Sequence, residues 1–139
     1  MTYLITGGAG FVGSHLIDSL IERGVPPRDI TIIDNLSLGK LSNIKHPIFC
    51  YEEDAQDQQT LRRIITKHKV ETVFNLATRP LANIFNQPLP TYYTSINIAA
   101  KLAELLREKT YKRLIHFSSS EVYGALKQLP MDESHPQNP

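Results

Sequence analysis

A glycine-rich segment near the start of the chain has the residue types and spacing needed to hold phosphate groups. Residues 6–13 read Thr-Gly-Gly-Ala-Gly-Phe-Val-Gly, with glycines at positions 7, 8, 10 and 13. Glycine is required where a turn needs an unusual φ, where backbone approaches a pyrophosphate, and where a helix packs closely on a strand. The N–H groups at the start of the following helix attract the phosphates. The segment predicts a phosphate-binding turn, and the alternative is a tight strand-to-helix turn without a ligand.

An acidic residue follows at a spacing that points to a dinucleotide. Asp34 stands about 20 residues beyond Gly13, where dinucleotide-binding proteins place the acid that binds the adenosine ribose. A carboxylate accepts hydrogen bonds from ribose hydroxyls and repels a 2′-phosphate, so NAD is favoured over NADP. Lys40 lies in the next loop, where its ammonium group could contact such a phosphate or could simply be solvated.

The elements that must position these residues alternate between strands and helices. Short β-branched runs alternate with segments whose apolar residues recur at helical spacing. Such alternation predicts an α/β fold with a doubly wound parallel sheet of the Rossmann type, in strand order 3-2-1-4-5. The predicted strands are Tyr3–Thr6, Ile30–Asp34, Ile48–Tyr51, Glu71–Asn75 and Arg113–Ser118, and the predicted helices are Phe11–Arg23, Gln56–His68 and Tyr92–Lys109.

Composition limits the other classes of function. The 139 residues predict one domain, and 15 Lys+Arg against 14 Asp+Glu offer no basic surface for nucleic acid or an anionic membrane. One cysteine, Cys50, excludes an internal disulfide, and its mid-strand position predicts a buried thiol. The five scattered histidines predict no metal site. The N-terminal segment lacks the pattern of a signal peptide or membrane span, so we expect a cytoplasmic protein.

Six segments together resemble the extended short-chain dehydrogenase/reductase family, and within it the NAD-dependent nucleotide-sugar epimerases and dehydratases. The resemblance runs in order along nearly the whole chain. The segments are residues 6–14, 34–37, 54–55, 75–77, Asn97 and residues 118–124.

The resemblance implies NAD as cofactor and assigns residues to it. Asn75 departs from the histidine usual at its position, and plain strand-end packing is an alternative role for Leu76 and Ala77. The implied cofactor-binding residues are Gly7, Gly10, Phe11, Val12, Gly13, Asp34, Asn35, Ser37, Gly39, Asp54, Ala55, Leu76, Ala77, Thr78, Asn97 and Ser118.

The resemblance also implies a chemistry in which NAD takes a hydride from a sugar and a transient 4-keto intermediate forms. Ser119 matches the residue that hydrogen-bonds the reacting sugar hydroxyl, although a serine at a strand end also caps turns. Glu121 matches a base or proton relay of dehydratases, against the alternative of a solvated carboxylate. Ser120 stands where dehydratases tend to have Asp, which weakens that assignment.

The family's Tyr-x-x-x-Lys pair has no match at its usual place. Tyr123 and Lys127 have the spacing, but Tyr123 already fills the Val-Tyr-Gly position, and Gly124 is a poor start for a helix. We therefore expect residues 1–139 to be a truncated NAD-binding domain, inactive alone, of an enzyme acting on a nucleotide sugar. The alternative is a non-catalytic dinucleotide-binding or sensor module ending at residue 139.

Two further segments carry predictions about partners. The long third helix has two apolar stripes, Ile98-Leu102-Leu105 and Ile96-Ala99-Ala103-Leu106. One stripe covers the sheet, and the other predicts self-association as a homodimer. Arg79 and Asn83, in a predicted loop from Thr78 to Pro90, are candidates for contact with the phosphate of a sugar nucleotide.

Overall fold

Parallel strands form the centre of the fold. The computed structural model describes residues 1–79, 86 and 88–138, and within these residues it has one sheet of five strands. The strands are β1 (Tyr3–Thr6), β2 (Ile30–Ile33), β3 (Phe49–Tyr51), β4 (Thr72–Asn75) and β5 (Arg113–His116). The helices are α1 (Phe11–Glu22), α2 (Gln58–His68) and α3 (Pro88–Arg107), with short 3-10 helices at Pro27–Asp29, Leu41–Asn43 and Ser120–Tyr123.

The strand order is β3-β2-β1-β4-β5, and every pair is parallel. The predicted fold class and order are confirmed. In this register Thr6 of β1 lies beside Asn75 of β4, which lies beside His116 of β5. The carboxyl ends of the strands therefore meet along one edge, where ligands bind in sheets of this type.

The core has two layers, one on each face of the sheet. On one face Leu4 and Val73 pack with buried residues of α2 and α3; on the other Ile5 and Ile32 pack with Ile17 of α1. All four residues of β2 are buried because helices cover both of its faces. This explains why the strands read as continuous apolar runs.

Several predicted boundaries are wrong by a few residues. Helix α2 begins at Gln58 instead of Gln56, because the Asp57 side chain caps it by accepting the N–H of Gln59. Helix α3 begins at Pro88 instead of Tyr92, since proline is tolerated in the first turn of a helix. Differences of one or two residues occur at the starts of β3 and β4 and at the ends of β2, β5, α1 and α3, whereas β1 and the remaining ends are as predicted.

The prediction of a buried Cys50 is wrong. Its strand, β3, is outermost in the sheet and has a neighbour on one side alone, so Cys50 and Phe49 are exposed. Partial desolvation still raises the pKa of the Cys50 thiol. Among the residues described, we find no helix with the length and apolar character required to cross a membrane.

Candidate functional site

The glycine turn that joins β1 to α1 is built by close backbone contacts. Gly7 has a φ of +68° and donates its N–H to the carbonyl of Ile33 at 2.9 Å. A Cβ on Gly7 would lie 2.9 Å from the backbone of Ala77, and one on Gly13 would lie 2.5 Å from the carbonyl oxygen of Gly7. Real Cβ atoms do not approach backbone this closely, so both positions need glycine.

The start of α1 is suited to an anion. Its N-cap residue is Gly10, which has no side chain with which to satisfy the first N–H groups of the helix. Phe11 and Val12 in the first turn are 78% and 50% exposed. The first-turn N–H groups and the positive end of the helix dipole favour a phosphate at this point.

Asp34 is held in one orientation next to this turn. Its Oδ2 accepts the N–H of Ala9 at 3.0 Å, and its Oδ1 accepts the N–H of Leu36 at 2.9 Å. The loop after β2 also folds back, since the N–H of Lys40 and the side-chain amide of Asn43 both donate to the carbonyl of Ala9. Each carboxylate oxygen keeps a lone pair for a further donor, such as a hydroxyl.

Gly39 lies in the same loop and allows its close approach to the glycine turn. A Cβ on Gly39 would lie 2.9 Å from Asp34 Oδ2 and 3.0 Å from Ala9. The loop therefore packs against both residues at the place predicted for a ribose.

A second loop, between β3 and α2, lies at the carboxyl edge of the sheet. Asp54 Oδ1 accepts the N–H of Gln56 at 2.8 Å, and the ammonium of Lys101 donates to the carbonyl of Gln56. The hydroxyl of Thr60 donates to Asp57 and, as the largest cause, lowers the pKa of that carboxyl. These bonds join the loop to both α2 and α3.

The segment after β4 is tied to β1. Thr6 Oγ1 accepts the N–H groups of Leu76 and Ala77, each at 3.2 Å. Farther along, the hydroxyls of Thr78 and Ser95 lie 3.0 Å apart and connect the segment to α3. The backbone of this segment therefore has defined partners on two elements.

These parts surround one cavity of about 400 Å³. All the predicted cofactor-binding residues line it except Asn97 and Ser118. The predicted residues in its wall are Gly7, Gly10, Phe11, Val12, Gly13, Asp34, Asn35, Ser37, Gly39, Asp54, Ala55, Leu76, Ala77 and Thr78.

The cavity wall also includes residues that the sequence did not assign to the cofactor. Arg79 lies in it, as a predicted phosphate-contacting residue, whereas Asn83 lies outside the described residues. Thr94 and Ile98 line the cavity and lie one helical turn apart on α3. This spacing places them on the same face of the helix, and it is the signal in the sequence that could have identified both as cavity residues. The remaining unassigned residues are Ile33, Leu38 and Gln56.

The predicted catalytic residues lie outside the cavity wall, after β5. Ser119 is exposed, and its Oγ accepts the N–H of Glu121 at 3.3 Å, which caps the 3-10 helix Ser120–Tyr123. Glu121 is exposed on this helix. Ser118 is also exposed, and Asn97 is half-buried on α3. The catalytic roles of Ser119 and Glu121 stay predictions.

The sequence predicts that Tyr123 and Lys127 are not a catalytic pair on one helix, and the structure places them on no common helix. The 3-10 helix ends at Tyr123, and Gly124 follows with a φ of 67°. Lys127 donates its N–H to His135 Nε2 at 3.0 Å, and the ring of Tyr123 contacts His135 edge-on with centroids 5.7 Å apart. The two side chains are therefore not arranged as a helical Tyr-x-x-x-Lys pair.

Fold and site together define an α/β protein of the Rossmann type, with its glycine turn and the cavity that this turn lines at the carboxyl edge of the sheet. The sequence profile of the family described as GDP-mannose 4,6 dehydratase matches residues 4–139, and the chain belongs to this family. The predicted resemblance to nucleotide-sugar epimerases and dehydratases is confirmed.

Curated relatives and solved structures agree with this assignment. The chain is 32% identical over 140 residues to UDP-glucose 4-epimerase of Halalkalibacterium halodurans, covering 100% of this chain and 41% of that protein. It is 33% identical to UDP-glucose 4-epimerase of Bos taurus, covering 96% of this chain and 41% of that protein.

Among solved structures, UDP-glucose 4-epimerase with UDP-glucose from Thermotoga maritima matches with a TM-score of 0.88 and 34% identity, covering 100% of this chain and 45% of that one. UDP-glucose 4-epimerase from Brucella ovis in complex with NAD matches with a TM-score of 0.88 and 29% identity, covering 99% and 42%. The chain thus spans about two fifths of the length of these proteins.

Proposed function

We propose that this chain is the NAD-binding portion of a nucleotide-sugar epimerase or dehydratase. The observation that carries the proposal is the position of Asp34, whose carboxylate is fixed by two backbone N–H groups in the wall of the cavity that begins at the glycine turn. The residues fit the cofactor because a Cβ on Gly7 or Gly13 would close the turn where backbone must approach a pyrophosphate. Relatives of known structure include an epimerase solved with NAD.

Each part of the cavity has a role toward NAD in this proposal. The first turn of α1 binds the pyrophosphate, and Asp34 accepts hydrogen bonds from the adenosine ribose. Asp54 and Ala55 contact the adenine, while Leu76 and Ala77 line the nicotinamide half. Two negative charges repel, so the carboxylate of Asp34 disfavours a 2′-phosphate and selects NAD over NADP.

When bound, NAD would accept a hydride from C4 of the sugar while the C4 hydroxyl loses its proton to a base, and the product would be a transient 4-keto sugar. Ser119 binds that hydroxyl in our proposal. Its Oγ accepts the N–H of Glu121 through one lone pair, and that bond does not use the hydroxyl hydrogen, which donates to the sugar oxygen. Glu121 serves as base or proton relay if the reaction is a dehydration.

We infer that residues 1–139 by themselves bind NAD and do not turn over a sugar. Tyr123 and Lys127 are not arranged as a catalytic pair, and no other Tyr-x-x-x-Lys spacing exists in the sequence. Without a base whose pKa is lowered for this purpose, the hydroxyl proton has no acceptor matched to it.

The proposal is tested by calorimetric titration of the purified chain with NAD and with NADP. We expect NAD to bind, NADP to bind at least tenfold more weakly, and Asp34→Asn to reduce this preference because it removes the charge that repels a 2′-phosphate. Asp29→Asn is the matched control, since Asp29 precedes β2 and Asp34 follows it. Absence of NAD binding would contradict the proposed function. Reduction of NAD when UDP-glucose is added would contradict the inference that the chain alone does not turn over a sugar.

We also propose that α3 mediates self-association with a second copy of the chain. Ile98, Leu102 and Leu105 are buried against the sheet, whereas Ile96 is 44% exposed on the outer side of the helix. Tyr92 and Tyr93 are exposed nearby, at 59% and 53%. Leu106, the last residue of the predicted outer stripe, instead packs against the core. An exposed apolar surface such as that around Ile96 and the two tyrosines marks an interaction surface.

Sedimentation velocity over a range of concentrations tests the association. The wild-type chain should sediment faster as its concentration rises, and Ile96→Lys should abolish that change. Gln59→Lys adds the same charge to the exposed surface of α2 and serves as control. A monomer at all concentrations would refute the association.

A further inference from the structure

A row of polar side chains crosses three strands at the carboxyl edge of the sheet. Thr6, Asn75 and His116 are the last residues of β1, β4 and β5 and lie in register beside one another. Thr6 is completely buried, Asn75 is 2% exposed, and His116 is exposed. Buried polar groups need hydrogen-bond partners, so this row requires a complete assignment of donors and acceptors.

The assignment is fully determined by the chemistry of the groups. Thr6 Oγ1 accepts the N–H groups of Leu76 and Ala77, so its own hydrogen goes to Asn75 Oδ1, 2.6 Å away. That bond orients the amide of Asn75 with its Nδ2 toward His116 Nδ1, at 3.0 Å. An amide nitrogen donates and does not accept, and therefore His116 Nδ1 carries no hydrogen in this arrangement.

The row joins the two halves of the proposed active site. On one side Thr6 directly precedes Gly7 and holds the Leu76–Ala77 backbone, which lines the cavity. On the other side His116 precedes the segment that carries Ser119, and the carbonyl of Asn75 accepts the N–H of Phe117 at 3.2 Å. Asn75 thus contacts the cofactor side through one end of its amide and the serine side through the other.

We propose that Asn75, acting with Thr6 and His116, is a positioning residue that holds the Leu76–Ala77 backbone against the glycine turn and in register with the strand leading to Ser119. The expected effect of the row on NAD binding rests on the proposed function. The contact itself is independent of function and is tested separately.

The contact is tested by the ¹⁵N chemical shifts of the His116 ring, measured by NMR at neutral pH. In the wild-type chain, Nδ1 should have the shift of an unprotonated nitrogen. In Asn75→Asp, a carboxylate replaces the donor, so His116 must take a hydrogen on Nδ1 and its shift should change to that of a protonated nitrogen. Thr72→Val, a substitution of a buried residue at the other end of β4, should leave the ring unchanged. Equal Nδ1 shifts in Asn75→Asp and wild type would overturn the contact.

The positioning role is tested by NAD affinity. Thr6→Val and Asn75→Leu should each weaken NAD binding about tenfold, which corresponds to about 1.4 kcal/mol. Thr6→Ser keeps every partner of Thr6 and should stay within about threefold of wild type. Far-UV circular dichroism checks folding, and the Thr6→Val and Thr6→Ser pair is sufficient if Asn75→Leu does not fold.

The possible failures are distinguishable. If wild type binds NAD and Thr6→Val binds it equally well, the positioning inference is overturned while the proposed function stands. If wild type does not bind NAD, the proposed function fails, and hydrogen exchange of the Ala77 N–H then decides the inference. Faster exchange in Thr6→Val than in Thr6→Ser supports it, and equal rates overturn it.

Discussion

Replacing Gly13 by alanine places a methyl group inside the glycine turn. The new Cβ would lie 2.5 Å from the carbonyl oxygen of Gly7, 2.7 Å from Gly8 Cα and 2.8 Å from the carbonyl oxygen of Gly8. These atoms are all backbone, so no side-chain rotation relieves the contact. Gly7 is itself held by the bond from its N–H to the carbonyl of Ile33.

Two opposing effects set the size of the change. Gly13 lies in the first turn of α1, and alanine in place of glycine favours a helix by about 1 kcal/mol. Ordinary van der Waals contact begins at 3.4 Å, so the turn has to open by about 1 Å, and overpacking of this kind costs about 3 kcal/mol at the upper end of its range. We expect a net loss of about 2 kcal/mol in the free energy of unfolding.

The loss is measured by urea unfolding followed by circular dichroism, and NAD affinity by calorimetry. Affinity should fall at least tenfold, because the displaced turn is the proposed pyrophosphate site. Gly24→Ala is the control: Gly24 has a φ of +88° with nothing within 4 Å of a Cβ. It should cost about 1 kcal/mol through backbone strain and leave NAD binding unchanged. A Gly13→Ala chain as stable as wild type, with full affinity, would refute the reasoning.

Three other predictions concern the scaffold. Asp57→Ala removes the N-cap of α2 and should lower the free energy of unfolding. Because the pKa of Asp57 lies below its ordinary 3.8, the stabilisation by the carboxylate is present above that pH and disappears as the pH falls through the lowered pKa. The urea midpoints of variant and wild type should therefore converge in acid. Urea midpoints that stay apart in acid would contradict the capping role of the Asp57 carboxylate. Tyr111→Phe removes the hydroxyl that donates to the carbonyl of Leu102 at 2.7 Å in a buried site and should cost about 1 kcal/mol in urea unfolding; an unchanged midpoint would argue against that bond. Cys50 should be alkylated in the native state because it is exposed, yet slowly at neutral pH because its pKa is raised; mass spectrometry measures the rate, and complete resistance would show that the thiol is covered.

Much of the fold was predictable from the sequence. The apolar runs at β2 and β4 and the helical spacing in α1 each lie within a dozen residues. They determine whether a segment is a strand or a helix, because each pattern matches the side-chain period of one of these elements and not that of the other. Parallel strands joined by helices then permit few arrangements, so the strand order followed from the connections. The glycine turn and Asp34 were recognisable because each depends on local backbone requirements.

Element ends were less predictable, because they depend on single caps and on neighbouring elements. The Asp57 side chain, instead of the start of the apolar pattern, determines where α2 begins. Cys50 reads as a core residue in its apolar run, but its exposure depends on the place of β3 at the margin of the sheet. Neither result is visible in a pattern of residue types.

The sequence by itself determined the fold class, the glycine turn and Asp34, since helical and strand periods and turn chemistry act over short stretches of chain. The family resemblance implied most of the other residues that line the cavity. The tertiary structure alone decided which distant groups meet. Thr6 and Asn75 are 69 positions apart, and Asn75 and His116 are 41 apart, so only the pairing of β1 with β4 and of β4 with β5 makes them neighbours. The hydrogen-bond roles of Thr6 and Asn75 follow from that pairing, because burial at a shared strand end forces each donor to find an acceptor.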